Sequence, residues 1–142
     1  MTVIAAAPNV RAQILGALKA DAPLVALLAD GVASIFPRIK VDPARSRKPF
    51  IFWGYEGGGP RREASPDIGI WKFAVHDYPV NGLWTVDRII DRIRWIYNGA
   101  TWEPATETLP AYWSQYAGSS GELVDPGWST IFRIARVQVT QS

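Results

Sequence analysis

Apolar residues recur at helical spacing near the start of the chain. Val10, Ile14 and Leu18 lie four positions apart, so they predict a helix with one buried face, for which Asn9 is a suitable N-cap. Asp21 stands where a second N-cap belongs, with a proline in the following turn and leucines at helical spacing after it. The chain is therefore predicted to begin with a helix, a tight turn and a short second helix.

Two segments in the middle of the chain show the alternation that is typical of strands. In Phe50–Tyr55 both alternating sets are apolar, with Phe50 and Phe52 on one face and the other three apolar side chains on the opposite face: Ile51, Trp53 and Tyr55. In Ile68–Tyr78 one face carries Trp71, Phe73 and Val75, and the other carries Ile70, Lys72, Ala74 and His76. These two strands are predicted to be connected by the glycine-rich segment between them.

The segment from Thr85 to Asn98 has the clearest helical period in the chain. One face carries only apolar residues, namely Val86, Ile89, Ile90, Ile93 and Ile96. Charged residues occupy much of the remaining surface, so Arg92 is expected to be solvated and its replacement by alanine nearly silent for stability. Asn98-Gly99 is a typical helix end.

Three further segments, 112–116, 121–124 and 129–140, are predicted to be strands that close the fold, with a turn at Pro126-Gly127. The predicted class is α+β, with one domain over residues 1–142. The sheet is expected to be mainly antiparallel, with about five or six strands, and to have the N-terminal helices and one long central helix packed on one face. Because three helices can hardly cover both faces of such a sheet, we expect self-association to bury the second face.

Composition and charge add two points to this picture. The 142 residues include no cysteine, which excludes disulfides and thiolate metal sites. The net charge is +2, but residues 38–62 hold seven basic and two acidic side chains, a local charge of +5 that favours an anionic partner or head-to-tail contact between copies. The N-terminus is unlike a signal peptide and the apolar runs are short, so we expect a soluble protein without a membrane partner.

The segment 48–64, KPFIFWGYEGGGPRREA, combines an aromatic strand, three glycines and two arginines. A phosphate loop requires a helix after the glycines, whereas here a proline and another strand follow, which disfavours nucleotide binding. A second hypothesis is a small nucleic-acid-binding domain that uses aromatic strand 50–55 and the basic residues within 38–62. The chain begins with helices and has one crossover helix, which is unlike an RNA-recognition domain. Nucleic-acid binding is therefore kept as the alternative to the hypothesis of an assembly loop.

Residues with catalytic potential do not form a recognisable constellation. His76 is the only histidine and is read as an ordinary edge-strand residue, since one imidazole without cysteine does not make a usual transition-metal site. Asp87 and Asp91 are four positions apart, but arginines surround them, which is typical of a solvated, ion-paired helix face. We therefore expect no enzymatic activity and no cofactor.

The order of elements resembles that of the tail-terminator or tail-completion (head–tail joining) proteins of long-tailed bacteriophages and gene transfer agents. The resemblance lies in ILGALKADAPLVALLADG, a short strand ending in IFP, the PFIFWGYEG strand, WKFAVHDY, the helix VDRIIDRIRWIY and the terminal strand IFRIARVQV. It covers nearly the whole chain, although the motifs are apolar patterns. The tryptophan content and the long connection from residue 100 to residue 112 depart from the family's pattern.

The resemblance implies a structural virion protein, made in the bacterial host cytoplasm and located in the tail or neck. It would form a hexameric ring that caps the tail tube, stops tail polymerisation and provides the head-docking surface. The implied partners are other copies of the chain, the tail tube protein and head–tail connector proteins, with genomic DNA passing close by in the lumen. The predicted contact residues are Arg45, Arg47, Lys48, Trp53, Tyr55, Gly57, Gly58, Gly59, Arg61 and Arg62.

Overall fold

The computed structural model describes residues 3–4, 10–37, 47–57, 69–102 and 112–141. The helices are α1 (Val10–Ala20), α2 (Ala22–Val25) and α3 (Trp84–Tyr97), with short 3₁₀ turns at Gly31–Ser34 and Pro79–Asn81. The strands are β1 (Val3–Ile4), β2 (Ile35–Pro37), β3 (Phe50–Gly57), β4 (Ile70–Asp77), β5 (Ala100–Trp102), β6 (Tyr112–Ser119), β7 (Leu123–Asp125) and β8 (Thr130–Gln141). The α+β class predicted from the sequence is confirmed.

The sheet has more strands than predicted and is mixed. Seven strands lie in the order β1-β5-β6-β8-β4-β3-β2, and β7 also pairs with β8. The central pairs are antiparallel, but β1 pairs with β5 and β2 with β3 in parallel. The expected mainly antiparallel pairing therefore holds for the central strands, whereas the expected five or six strands left out β1 and β5, because strands of two or three residues are too short to show a period.

Local sequence explains how the helices begin and end. The Asp21 side chain accepts a hydrogen bond from the backbone N–H of Leu24 (3.1 Å), so it is the N-cap of α2 as predicted. Helix α3 ends at Tyr97 with Asn98 as its C-cap, and Gly99 follows with φ of 72°, a left-handed conformation that glycine adopts without strain. Asn9, the predicted cap of α1, lies outside the described residues.

The core lies where the helices meet the central strands. Helix α3 contacts β4, β6 and β8 as well as α1 and α2. The predicted inner face of α3 is confirmed, because all five of its apolar residues are buried: Val86, Ile89, Ile90, Ile93 and Ile96. They join one apolar cluster with Ile14 and Leu18 of α1 and with Trp71, Phe73, Val75 and Val137 of the sheet.

Arg92 differs from the expectation of a solvated residue. Its guanidinium donates two hydrogen bonds to the carboxylate of Asp21, from Nε to Oδ2 (3.0 Å) and from Nη2 to Oδ1 (2.7 Å). This bond to Asp21 raises the pKa of Arg92 above its ordinary value, against a smaller effect of burial. Arg92 therefore ties α3 to the start of α2, and its replacement by alanine is not expected to be silent.

Candidate functional site

The aromatic strand β3 is part of the core. It lies between β4 and β2, and both Phe50 and Ile51 are completely buried. Trp53 and Tyr55 are half-buried, with ring centroids 5.5 and 5.4 Å from that of Trp71 on β4. The predicted alternation of faces is confirmed, and the strand holds its aromatic rings against the rest of the fold.

The two described basic contact candidates both interact within their own chain. Arg47 Nη1 lies 2.7 Å from Asp30 Oδ1 in an exposed ion pair. The Lys48 ammonium lies 5.6 Å from the centroid of the Tyr78 ring, close enough for a cation–π contact. The structure thus places exposed Arg47 beside Asp30, and half-buried Lys48 beside the residue that follows β4.

Gly57 is the last residue of β3 and pairs with Ile70 across a bulge that follows Tyr55. The bulge accommodates Glu56, whose carboxylate pairs with the Lys72 ammonium. The other predicted contact residues lie outside the described residues: Arg45, Gly58, Gly59, Arg61 and Arg62.

A cluster of aromatic rings surrounds His76, on the face of the sheet opposite to Trp71, Phe73 and Val75. The imidazole stacks on Phe132 with a centroid distance of 4.4 Å and an interplanar angle of 8°, and on Phe50 at 5.0 Å. Phe52 and Trp128 complete the ring of neighbours at 5.1 Å each. Trp128 belongs to the turn between β7 and β8, so the chain itself covers the part of this face around His76.

His76 is buried, with 1% of its surface exposed, so the reading of it as an edge residue was wrong. Its Nδ1 lies 2.8 Å from Thr130 Oγ1, and Nε2 has no hydrogen-bond partner within the described part of the chain. Burial lowers the pKa of His76 from 6.5 to about 4, with Asp125 opposing the shift and Lys48 adding to it. The neutral ring therefore serves as a packing element.

We expect the buried imidazole to make stability depend on pH. Between about pH 6.5 and pH 4 the unfolded chain binds a proton at His76 that the native state does not, so stability falls as the pH falls. The loss approaches about 3 kcal/mol near pH 4. Urea denaturation across this window should show a smaller loss for His76→Gln than for the parent protein. An equal pH dependence of the unfolding free energy in the two proteins would contradict this account of the His76 imidazole.

Other polar groups near the sheet also have structural partners. Asp77 Oδ1 accepts hydrogen bonds from the backbone N–H of Tyr78 (2.7 Å) and from Asn81 Nδ2 (3.1 Å), which holds the turn after β4. The Ser114 hydroxyl donates to the carbonyl of Tyr97 (2.7 Å) at the end of α3. Within the described ranges no group of three or more histidine or carboxylate side chains is placed to hold a metal ion.

Sequence reasoning missed the outward face of α3. Trp84 and Trp95 are 71% and 70% exposed, although tryptophan is among the most strongly buried residues on average. The Arg88 guanidinium lies 5.5 Å from the Trp84 ring centroid, and that of Arg92 lies 5.8 Å from the Trp95 ring centroid. The signal was present in the sequence, since residues 84 and 95 are eleven positions apart and face away from the isoleucines.

Further apolar side chains are exposed around the same molecule. They lie in the turn after β4, on β6 and on β7: Tyr78, Val80, Trp113, Leu123 and Val124. Among the described residues, strand β7 pairs with β8. The described part of the chain thus exposes aromatic and aliphatic side chains at several places besides α3.

No family model matches the chain, and no curated protein matches it. Among the described helices, none combines the length and the apolar character needed to cross a membrane.

Proposed function

We propose that the protein is a structural subunit that assembles into a ring, caps a phage tail tube, ends its polymerisation and provides the surface to which the head docks. The observation that carries assembly is the exposure of apolar side chains on the sheet, Trp113 on β6 and Leu123 and Val124 on β7. The location on a phage tail and the ring form are both implied by the resemblance of the chain to tail-terminator proteins. Copies of the chain, the tail tube protein and head–tail connector proteins are the proposed partners.

The arrangement of the helices belongs to this proposal. We infer that α1, α2 and α3 cover one face of the sheet, which leaves the other face available in the assembly except where Trp128 covers it. The shared apolar cluster of the helices with Trp71, Phe73 and Val137 supports this arrangement. In a ring the uncovered parts of the sheet and its short outer strands would face neighbouring copies.

The alternative function, nucleic-acid recognition by strand 50–55, has less support. A stacking platform needs ring faces that are open to bases. Here Phe50 is completely buried and Phe52 packs against His76 and Trp128. Trp53 also has the Arg11 guanidinium 5.5 Å from its ring centroid.

Replacing Arg61 and Arg62 by alanine separates the two functions. If the loop is an assembly element, the double variant should fold with unchanged melting temperature, because a glycine-rich loop supplies few buried contacts, while tail completion or head joining fails. If the loop binds nucleic acid, the variant should instead lose affinity, and the slope of log affinity against log salt should fall by roughly one to two. Complementation of a deletion phage and a salt titration with DNA measure both outcomes.

A result of full complementation together with lost DNA binding would contradict the assembly function of the loop. Lys19→Ala is a suitable control, since Lys19 is an exposed residue at the end of α1, outside the proposed contact segments. It should complement fully and leave any DNA affinity close to that of the parent protein.

A further inference from the structure

The outward face of α3 forms a narrow stripe of four residues, Trp84, Arg88, Asp91 and Trp95, which we call the α3 stripe. At about 100° per residue these four positions fall within roughly 60° of one another around the helix axis. The buried Ile93 lies on the opposite side of the helix. All four stripe residues are exposed, so the stripe is the part of α3 most accessible to a partner.

The order of residues along the stripe is self-complementary. In two antiparallel copies of α3 related by a two-fold axis between positions 89 and 90, facing residue numbers add up to 179. Trp84 of one copy then faces Trp95 of the other, and Arg88 faces Asp91. Parallel copies would place Arg88 opposite Arg88, which is unfavourable.

The charges of the stripe are available for such a contact. Two charged residues flank the stripe and are already in ion pairs, Arg92 with Asp21 and Asp87 with Arg133. Arg88 and Asp91, in contrast, have no ion-pair partner within the described part of the chain, and the Arg88 guanidinium lies over the Trp84 ring. These two side chains are the pair that a two-fold contact brings together twice.

We propose that a second copy of this chain docks on the α3 stripe, with the two helices antiparallel. The stripe carries one positive and one negative charge, so its net charge suits neither a nucleic acid nor an anionic membrane, both of which require excess positive charge. Its apolar part consists of two tryptophans, which favour aromatic or apolar neighbours. A self-complementary, neutral and aromatic surface fits another copy of itself.

The surroundings of the stripe leave space for the partner's side chains. A groove of about 220 Å³ runs between α2 and α3 and is lined by Pro23, Leu27, Arg88, Asp91 and Arg92. Its lining combines the apolar Pro23 and Leu27 with three charged side chains of α3. Four tryptophans bury on the order of 600 Å² between them, which is less than the roughly 1,200 Å² of a standard interface. The dimer is therefore expected to be weak.

This contact is distinct from the proposed ring and does not rest on it. A ring is built from head-to-tail contacts between different surfaces, whereas the α3 contact joins the same surface of two copies. A protein that has both contacts would form paired rings. A protein that has only the α3 contact would form dimers.

Charge reversal in two separate chains tests the proposed register. Arg88→Asp gives a chain with two aspartates in the stripe, and Asp91→Arg gives a chain with two arginines. Each should self-associate at least tenfold more weakly than the parent chain in sedimentation equilibrium, since like charges then face each other twice. An equimolar mixture should restore association to within about threefold of the parent, because both facing pairs are then opposite in charge.

The controls separate this contact from folding and from the ring. Lys19→Glu reverses the charge of an exposed side chain on α1, so this variant should dimerise like the parent. The circular dichroism spectra of all variants should be the same. A mixture that remains as monomeric as the single variants, or a parent chain that is monomeric at 200 μM, would overturn the α3 contact. Either result would leave the proposed ring untouched if electron microscopy shows rings on tails. Conversely, the absence of such rings would not contradict the α3 dimer.

Discussion

Ile93→Asp is expected to abolish folding. Ile93 has no exposed surface and packs at the centre of the inner face of α3, among the apolar residues of the helices and the central strands. An aspartate there loses the apolar contacts, which costs about 2–5 kcal/mol, and places a charge without a partner in the core, which costs several kcal/mol more. Domains of this size are stable by only about 5–15 kcal/mol. Far-ultraviolet circular dichroism and urea denaturation should show an unfolded or barely folded chain.

The matched control is Arg94→Ala, one position along the same helix. Arg94 is exposed and lies over the Tyr116 ring at 6.0 Å, so its removal should cost less than about 1 kcal/mol. Similar melting of the two variants would show that the phase of α3 is wrong.

Trp71→Ala should cost about 3–5 kcal/mol, the second largest effect that we predict. Trp71 is completely buried on β4, and its ring lies against those of Trp53 and Tyr55. Trp53→Ala should cost less, about 2 kcal/mol, because Trp53 is half-buried and part of its surface is already in water. Urea denaturation of the three proteins measures the difference.

Trp95→Ala provides a control with the same chemical change. Since Trp95 is 70% exposed, its loss should change the free energy of unfolding by no more than about 0.5 kcal/mol in dilute protein. A Trp71→Ala protein as stable as Trp95→Ala would contradict the burial of β4 in the core. A stable Trp53→Ala protein that has lost nucleic-acid binding would favour the alternative function.

The parts of the fold that follow from local periodicity could be predicted. The inner face of α3 and the two faces of β3 and β4 follow from spacings of three, four or two residues, because each spacing fixes which side chains share a face. The N-cap Asp21 is likewise a local signal. These elements are also the ones that contribute most of the core.

The features that depend on distant residues could not be predicted. Burial of His76 requires Trp128 from a turn about fifty residues further along the chain, and the ion pair of Arg92 requires Asp21 from another helix. The parallel pairing of β1 with β5 joins strands of two and three residues, whose sequences carry no period. The exposed tryptophans of α3 were predictable in principle, but tryptophan is usually assigned to the core.

Electron microscopy of tail tubes assembled with and without the protein tests the proposed function most directly. The proposal predicts a ring of copies, six by the family resemblance, at one end of each tube when the protein is present. Tubes should then have a uniform length and join heads, whereas tubes made without it should continue to grow. Tubes whose length and head joining are the same in both preparations, with the protein never found on them, would contradict the proposal.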